Sequence, residues 1–240
     1  MGRQSGNVLF LILIAVVLFA ALSYAVTQSS RGGGSVSQEQ VKIAASQILQ
    51  HAVSVQQAIA RMMLVKGSSE DAICFAHEGW AAGIEYNSYD HADCADNENR
   101  VFHPDGGGVA WMSPDPSWMN QDATGTPAWA KDRWIYTGDI SVLNVGTAAP
   151  ELLAFLGPVT EEVCTEINSN MGVSTSFSPH DYVCCGWDVA KVFGFSTPRY
   201  SQDTTIGDQN SDYGGVRTGC ARDNSSAPYN YYFWHVLIER

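Results

Sequence analysis

The longest apolar stretch of the sequence runs from residue 8 to residue 26. Only Ser23 and Tyr24 interrupt it, and it contains neither a charge nor a proline. A helix over this stretch would be apolar on every face and roughly 28 Å long, which is close to the thickness of a bilayer's hydrocarbon core. The pattern therefore predicts a transmembrane helix over residues 7–28.

A second helix is predicted from Ser37, because apolar residues recur there at every third or fourth position. Ser37 and Gln40 have the spacing of a capping box, and Gly67 is expected to end the helix. The apolar stripe consists of Val41, Ala45, Ile48, Ala52, Val55, Ile59 and Met62. The preceding residues 29–36 contain three consecutive glycines, each of which costs a helix about 1 kcal/mol relative to alanine. We expect a hinge there, followed by a helical spine that packs against a sheet.

Residues 68–127 predict a loop-rich region. Turn-forming residues at 102–109 favour a tight reversal between two short strands, at Val101 and at 109–111. Four tryptophans belong to this part of the chain or follow it directly: Trp111, Trp118, Trp129 and Trp134. We expect them to fill the core, with stacking on sugars as the alternative.

The second half of the chain mixes strands with short helices. Residues 132–142 predict a strand, a turn at Gly138-Asp139 and another strand, whereas residues 150–156 predict a short helix that ends at Gly157-Pro158. Residues 229–238 are dense in aromatic and branched side chains and predict a central strand.

One more helix is predicted after Thr160, which has the position of an N-cap residue. Glu161 and Glu162 suit the positive end of its dipole, and Gly172 is expected to end it. Its inward side chains are expected to be Val163, Cys164, Ile167 and Met171. With one long helix first and strands later, residues 37–240 are predicted to form an α+β head with an antiparallel sheet.

All six cysteines lie beyond the apolar stretch: Cys74, Cys94, Cys164, Cys184, Cys185 and Cys220. An even number on one side of a membrane predicts disulfides in an oxidising compartment. We expect Cys74 to pair with Cys94. Because adjacent cysteines rarely bond each other, Cys164 and Cys220 are expected to pair with the Cys184-Cys185 dipeptide. Zinc is the alternative, since Cys74-x-x-His77 and His91-x-x-Cys94 have ligand-like spacing.

The net charge of −12 leaves few cations to neutralise phosphates, which argues against nucleic acid as a partner. The sequence lacks the common hydrolase, phosphate-loop and zinc-protease motifs. His180-Asp181 lies near Cys184, but that cysteine is expected to be in a disulfide. His103 and His235 are expected to make ordinary hydrogen bonds. We therefore expect a protein that is not an enzyme.

The residues before the apolar stretch, MGRQSG, form a short leader with one basic residue and a terminal glycine. Such a leader, followed at once by about twenty apolar residues, resembles the class III signal of type IV pilins and pseudopilins. The resemblance implies that prepilin peptidase cuts between Gly6 and Asn7 and methylates the new N-terminus. Family members generally begin with Phe or Met and carry Glu at the fifth mature position, where this chain has Asn7 and Leu11. This difference leaves room for a minor pilin, a tip pseudopilin or a relative of the TadE and TadG proteins.

The resemblance implies a leader over residues 1–6, a membrane helix and a pilin-like head with a helical spine and disulfide-linked loops. The expected function is a structural subunit of a type IV pilus or a type II secretion-like filament. Its partners would be membrane lipid and other pilin-like subunits, with the chain crossing the inner membrane once and the head in the periplasm or in a surface filament. The alternative is a membrane-anchored binding or adhesin head, with no filament.

No cofactor is required by these patterns, but residues 208–214 place oxygen ligands at alternate positions and end in glycine. A calcium site is predicted at Asp203, Asp208, Asn210 and Asp212. Pseudopilin-like proteins sometimes carry calcium in a loop before the last strand, which is the position of this segment. A solvated polar loop is the alternative.

Overall fold

The computed structural model describes residues 10, 12–20, 23, 33–77, 92–123, 133–177, 200, 204–208, 211–222 and 229–240. The chain forms two compact units, Met1–Lys42 and Ile43–Arg240. In the first unit, residues 12–20 are helical. Within the described ranges, no helix combines the length and the apolar character that crossing a membrane requires. The leader and much of the predicted span, including Gly6 and Asn7, lie outside these ranges.

Helix α1 spans Gly33–Arg61 and continues into a π-helical turn at Met62–Lys66. The prediction that Gly67 ends it is confirmed, because this glycine caps the turn with φ 73°. The predicted start at Ser37 is wrong by four residues, and residues 33–36 of the expected hinge are helical. Each residue added to a formed helix gains a backbone hydrogen bond, and this gain offsets the cost of glycine.

The apolar stripe of α1 is buried as predicted within the second unit. Its fully covered members are Ala45, Ile48, Ala52, Val55, Ile59 and Met62. His51 is buried beside them, with 6% of its surface exposed.

A five-stranded sheet forms the centre of the head, in the order β3-β1-β2-β5-β4. The strands are β1 (Trp134–Val142), β2 (Glu151–Val159), β3 (Thr204–Ile206), β4 (Thr218–Arg222) and β5 (Tyr231–Ile238). All neighbours are antiparallel except β1 and β3, which are parallel. The prediction that the last aromatic segment is an interior strand is confirmed, since β5 lies between β2 and β4. The head is therefore a mixed helix and sheet fold.

The predicted turn at Gly138-Asp139 is wrong. Strand β1 runs straight through this dipeptide with a bulge, which shifts its register against β2 between Thr137 and Ile140. The Thr137 hydroxyl oxygen accepts a hydrogen bond from the Asp139 amide at 3.2 Å. A bulge bends a strand without reversing it, so a dipeptide with turn chemistry remains within the ladder.

The predicted helix at residues 150–156 is also wrong, because residues 151–156 belong to strand β2. All nine residues of β2 are buried, and the strand pairs with β1 on one side and β5 on the other. A short apolar run does not distinguish a buried strand from a buried helix. Backbone pairing with β1 and β5 on either side makes this segment a strand. The Gly157-Pro158 peptide bond is cis and lies inside the strand.

The reversal at residues 102–109 is present, since the Val109 amide donates to the Val101 carbonyl at 3.2 Å. The predicted strands beside it are absent from this described segment, whose regular elements are short 3₁₀ turns. These turns lie at Glu70–Ala72, Ala92–Ala95, Asn97–Asn99 and Pro116–Trp118, with another at Ser211–Tyr213. A Cβ added at Gly106 would lie 1.9 Å from the Arg100 carbonyl oxygen, so the glycine loop folds directly onto the preceding backbone.

Helix α2 spans Glu161–Met171, with Thr160 as its N-cap and Gly172 as its C-cap, as predicted. The Thr160 hydroxyl oxygen accepts from the Val163 amide at 3.4 Å. Val163, Cys164 and Ile167 are buried as expected, whereas Met171 is 44% exposed and was wrongly placed inward.

Two disulfides are present among the described residues. Cys74 pairs with Cys94, as predicted. Cys164 pairs with Cys220, so the predicted pairing of these two with Cys184 and Cys185 is wrong. The physical reason is that the inward face of α2 packs directly on β4, which brings the two Cα atoms within 5.3 Å. Cys184 and Cys185 lie outside the described residues.

Side chains alternate between the two faces of the sheet. Trp134 and Tyr136 of β1 and His235 of β5 lie on the face that contacts α1. Side chains on the opposite face belong to an apolar core cluster that includes Ile135, Phe155 and Trp234. Trp134 is fully buried and Trp118 is 9% exposed, which confirms that these two tryptophans fill the core.

Candidate functional site

Five polar side chains connect α1 to the sheet, and we call them the polar seam: His51, Gln56, Tyr136, Thr218 and His235. The Gln56 side-chain amide donates to the Val236 carbonyl at 3.1 Å, so its oxygen is left to accept from His235 Nε2 at 3.2 Å. His235 Nδ1 lies 2.6 Å from the Thr218 hydroxyl and accepts its proton. This arrangement fixes His235 as the neutral tautomer that carries its proton on Nε2.

The other histidine of the polar seam is His51, which lies on α1 five residues before Gln56. His51 Nε2 is 3.4 Å from the Tyr136 hydroxyl, and the imidazole ring lies 4.7 Å from the Trp134 ring. Burial lowers the pKa of His51 and that of His235 from 6.5 to about 4 each. Both rings are therefore neutral at pH 7 and hold the helix to the sheet as uncharged hydrogen-bonding groups.

An aromatic cluster extends from the polar seam into the disulfide-linked loops. The Phe75 ring stacks on the Tyr136 ring at 4.1 Å, and the His77 ring stacks on the Trp111 ring at 3.8 Å. Phe102 meets Trp111 edge to face at 5.0 Å. His77 and Trp111 are half-buried.

The zinc alternative is contradicted. The Cys74–Cys94 disulfide uses both sulfurs that a metal would have needed as thiolates. His91 lies outside the described residues. Among the residues that the structure describes, no three His, Cys, Asp or Glu side chains come together as a metal site would require.

The structure leaves the predicted calcium site incomplete. Asp208 and Asp212 are exposed, and Asp203 and Asn210 lie outside the described ranges. Asp212 lines a cleft of about 450 Å³ beside the C-terminal end of α2, and Thr218 lines the same cleft. Asp208 does not line this cleft, so the described residues place a single carboxylate beside it, and calcium binding stays a prediction.

If calcium binds here, it should raise the melting temperature of the protein, because a ligand that binds only the folded state stabilises it. Replacing Asp208 and Asp212 with alanine together should abolish that rise. Asp105, an exposed aspartate in another loop, provides the control. A wild-type melting temperature that is indifferent to calcium would refute the prediction.

Glu151 is a buried acid that the sequence did not single out. It is 0% exposed at the start of β2, and its Oε2 accepts from the Val142 amide at 2.8 Å. Its Oε1 is buried with no hydrogen-bond partner among the described residues. Desolvation raises the pKa of Glu151, and repulsion from Glu239 adds to the shift, although the bond from Val142 opposes it.

This raised pKa predicts how Glu151→Gln changes stability with pH. A carboxyl whose folded pKa exceeds its unfolded value stabilises the fold at low pH, and this contribution is lost as the pH rises through the folded value. The stability of the glutamine variant relative to wild type should therefore increase as the pH rises above 4.5, the ordinary pKa of a glutamate. Urea unfolding at several pH values measures this difference, and parallel curves for the two proteins would contradict the prediction. Glu98→Gln, at an exposed loop position, is the control.

Helix α2 covers the outer edge of strand β4 through one buried side chain. Asn168 is 0% exposed, and its amide oxygen accepts from the Cys220 amide at 2.8 Å. Its nitrogen donates to the Cys220 carbonyl at 2.8 Å and to the Ser174 carbonyl at 2.9 Å. The side chain thus replaces the strand that would otherwise pair with this edge.

The sequence contains a signal for two of these buried polar residues, His51 and Asn168. His51 follows Ile48 by three positions and precedes Val55 by four, so it lies on the apolar stripe of α1. Asn168 follows Cys164 by four positions on α2. A polar residue at a core-facing helical position indicates a specific buried partner, although the pattern does not say which. Glu151 had no such signal, because its segment was predicted to be a helix.

Comparison of the chain with protein-family models, with curated proteins and with solved structures finds no match. His180, Asp181 and Trp129, which the sequence raised as candidates for chemistry or stacking, lie outside the described residues.

Proposed function

We propose that this protein is a structural subunit of a bacterial type IV pilus or type II secretion-like filament, as a minor pilin or pseudopilin-like protein. The observation that carries the proposal is the exposed apolar helix near the N-terminus. Its exposed side chains are Phe10, Ile12, Leu13, Ile14, Val16, Val17, Leu18 and Phe19, with between 41% and 74% of each surface uncovered.

A contiguous apolar surface of this kind is unstable in water, since each Å² left in contact with water costs about 25 cal/mol relative to burial. Lipid covers such a helix while the subunit is in the membrane. Neighbouring helices replace lipid once the subunit enters a filament, and the absence of charge permits both environments. Membrane lipid, other pilin-like subunits and prepilin peptidase are the proposed partners.

The head supports the same proposal. A long helix held against a mostly antiparallel sheet matches the spine-and-sheet layout implied by the resemblance to pilins. Two disulfides suit the oxidising environment of the periplasm or the cell surface. The proposed location is the inner membrane, crossed once, with the head in the periplasm or in a surface filament.

The first experiment is to determine the mass and the N-terminal sequence of the protein isolated from its native membrane. The expected mature chain begins at Asn7 and carries a methylated N-terminus. Gly6→Leu should block this cut, whereas Gly2→Leu, the same change within the leader, should leave it intact. Antibody against the head should then label filaments on cells or in sheared fractions.

Two results would overturn the proposal. An intact Met1, or a cut after the apolar stretch, would exclude processing by prepilin peptidase. Either result would favour the anchored binding head, for which the half-buried His77–Trp111 stack is the candidate contact. Glycan-array binding that is lost in Trp111→Ala would then establish the alternative.

A further inference from the structure

Three residues of the polar seam form a hydrogen-bonded series with a hydroxyl at one end. The Thr218 hydroxyl donates to His235 Nδ1 at 2.6 Å, and His235 Nε2 donates to the Gln56 side-chain oxygen at 3.2 Å. Gln56 is itself oriented, because its nitrogen donates to the Val236 carbonyl at 3.1 Å. A hydroxyl bonded to a neutral imidazole, whose other nitrogen is held by a third group, is the arrangement that activates a nucleophile.

The hydroxyl-bearing residue of this series also borders the cleft of about 450 Å³ at the C-terminal end of α2. This volume falls within the range of roughly 300 to 1,000 Å³ that small-molecule sites occupy. The apolar side of the lining consists of Met171, Val173 and Val216. Thr218 is half-buried, whereas His235 is only 5% exposed. A small ligand in the cleft therefore lies beside Thr218, while the imidazole behind it is shielded from water.

The backbone of Thr218 supplies a hydrogen-bond donor at the same place. The Val236 amide donates to the Arg217 carbonyl at 2.8 Å, so Arg217 directs its backbone groups towards β5. Alternate residues of an antiparallel strand face opposite sides of the ladder, so Thr218 and Cys220 direct theirs away from β5. Asn168 binds the outward groups of Cys220. The outward amide of Thr218 is placed to donate to negative charge that develops on a carbonyl oxygen bound next to its own hydroxyl.

We propose that Thr218, His235 and Gln56 form a site that hydrolyses small esters with a short apolar acyl group. The Thr218 oxygen bonds to the ester carbonyl carbon while its proton moves to His235 Nδ1. The bond from that carbon to the alcohol oxygen breaks, and the alcohol leaves with the proton. Water then attacks the acyl-threonine and passes a proton to His235 Nδ1. The carboxylic acid leaves, and the proton returns to Thr218.

Gln56 is a positioning residue in this scheme, since it holds the imidazole tautomer whose Nδ1 accepts. The site is independent of the proposed filament, because a filament subunit and an anchored head would carry it equally. Its three residues are far apart in the chain, so no short sequence motif signals them.

The full-length protein in detergent, incubated with p-nitrophenyl acetate, tests the site. We expect p-nitrophenol in excess of the protein and an acetyl group on Thr218 in peptide mass spectra. Thr218→Val should abolish both. Thr205→Val is the control: Thr205 is also half-buried and its hydroxyl lies 2.6 Å from a partner, but that partner is Ser141. The control variant should keep the wild-type rate.

Two further variants test the base and its positioning. His235→Gln should lower the rate by about a hundredfold or more, which is the usual contribution of a general base. Gln56→Leu should lower kcat by about tenfold and leave KM unchanged, because Gln56 orients the base without touching the ester.

The pH profile of the wild-type protein keeps the test decisive if the His235 variant does not fold. Burial lowers the pKa of His235 to about 4, so the rate should stay constant between pH 7 and pH 5.5. A base with the ordinary histidine pKa of about 6.5 would lose about eightfold over the same interval. Such a loss would show that an exposed histidine, and not His235, is the base.

The remaining outcomes also overturn the inference. Acetyl groups confined to lysines or to the N-terminal amine would show that Thr218 is not a nucleophile, as would p-nitrophenol release that persists in Thr218→Val. A stable acetyl group on Thr218, without further release, would refute the hydrolytic step.

Discussion

Lowering the pH from 7 to 5 should decrease the free energy of unfolding by about 4 kcal/mol through the two histidines of the polar seam. Each has a pKa of about 4 in the folded protein, against an ordinary value of 6.5. Between these values the unfolded chain binds more protons than the folded one, so stability falls as the pH falls. At pH 5 each histidine accounts for about 2 kcal/mol, since one pKa unit corresponds to about 1.4 kcal/mol.

The groups that contact the two imidazole rings explain why protonation lowers stability. Gln56 and Thr218 contact His235, and Tyr136 and Trp134 contact His51, so uncharged groups surround both rings on these elements. A second proton on His235 Nδ1 would place a donor where the Thr218 hydroxyl already donates. Protonation is therefore expected to weaken the contact between α1 and the sheet first.

Urea unfolding at a series of pH values, with hydrogen exchange along α1, measures this effect. The double variant His51→Phe/His235→Gln should have a much flatter stability profile between pH 4 and 6.5. Glu151 acts in the opposite direction over part of this range, so the difference between wild type and the double variant is the informative quantity. Equal pH slopes for the two proteins would show that the histidines do not control acid stability.

Asn168→Ala should lower the free energy of unfolding by about 3 to 5 kcal/mol. The substitution removes three hydrogen bonds, two of them fully buried, and leaves the Cys220 amide and carbonyl without a partner at the edge of β4. A buried polar group that loses its partner costs about 1 to 3 kcal/mol. The uncovered edge is also expected to promote aggregation, because it offers unpaired backbone groups to another strand.

The same change two residues later provides the control. Asn170 is an exposed asparagine on the same helix, so Asn170→Ala should alter stability by less than about 0.5 kcal/mol. Urea unfolding compares the two variants, and hydrogen exchange at the Cys220 amide reports on the edge directly. Similar losses of stability in both variants would mean that Asn168 does not protect β4.

The sequence predicted elements whose signals are local. Helix α2 follows from the Thr160 cap, the Gly172 stop and an inward face three and four residues apart. The buried stripe of α1 and its end at Gly67 follow from the same periodicity. Strand β5 is recognisable because it is long, aromatic and β-branched. These features depend on neighbours within about one helical turn or one strand, so the amino-acid order is enough to specify them.

The errors occurred where distant segments decide the conformation. The same apolar residues of 151–156 would suit a helix, and they form a strand because β1 and β5 flank them with open backbone hydrogen-bonding groups. The Gly138-Asp139 dipeptide became a bulge because strand pairing continues on both sides of it. The pairing of Cys164 with Cys220 required α2 to lie on β4, which spacing along the chain does not specify.

The sequence by itself determined the apolar N-terminal stretch, the acidic character, the two main helices and the last strand. Each is set by residue type and local periodicity. Only the tertiary structure decided that His51 and His235 would be buried and neutral. It also decided that Asn168 would cover the edge of β4 and that the Glu151 carboxyl would be desolvated. These properties arise from desolvation and from hydrogen bonds between residues far apart in the chain, and neither exists until the segments pack together.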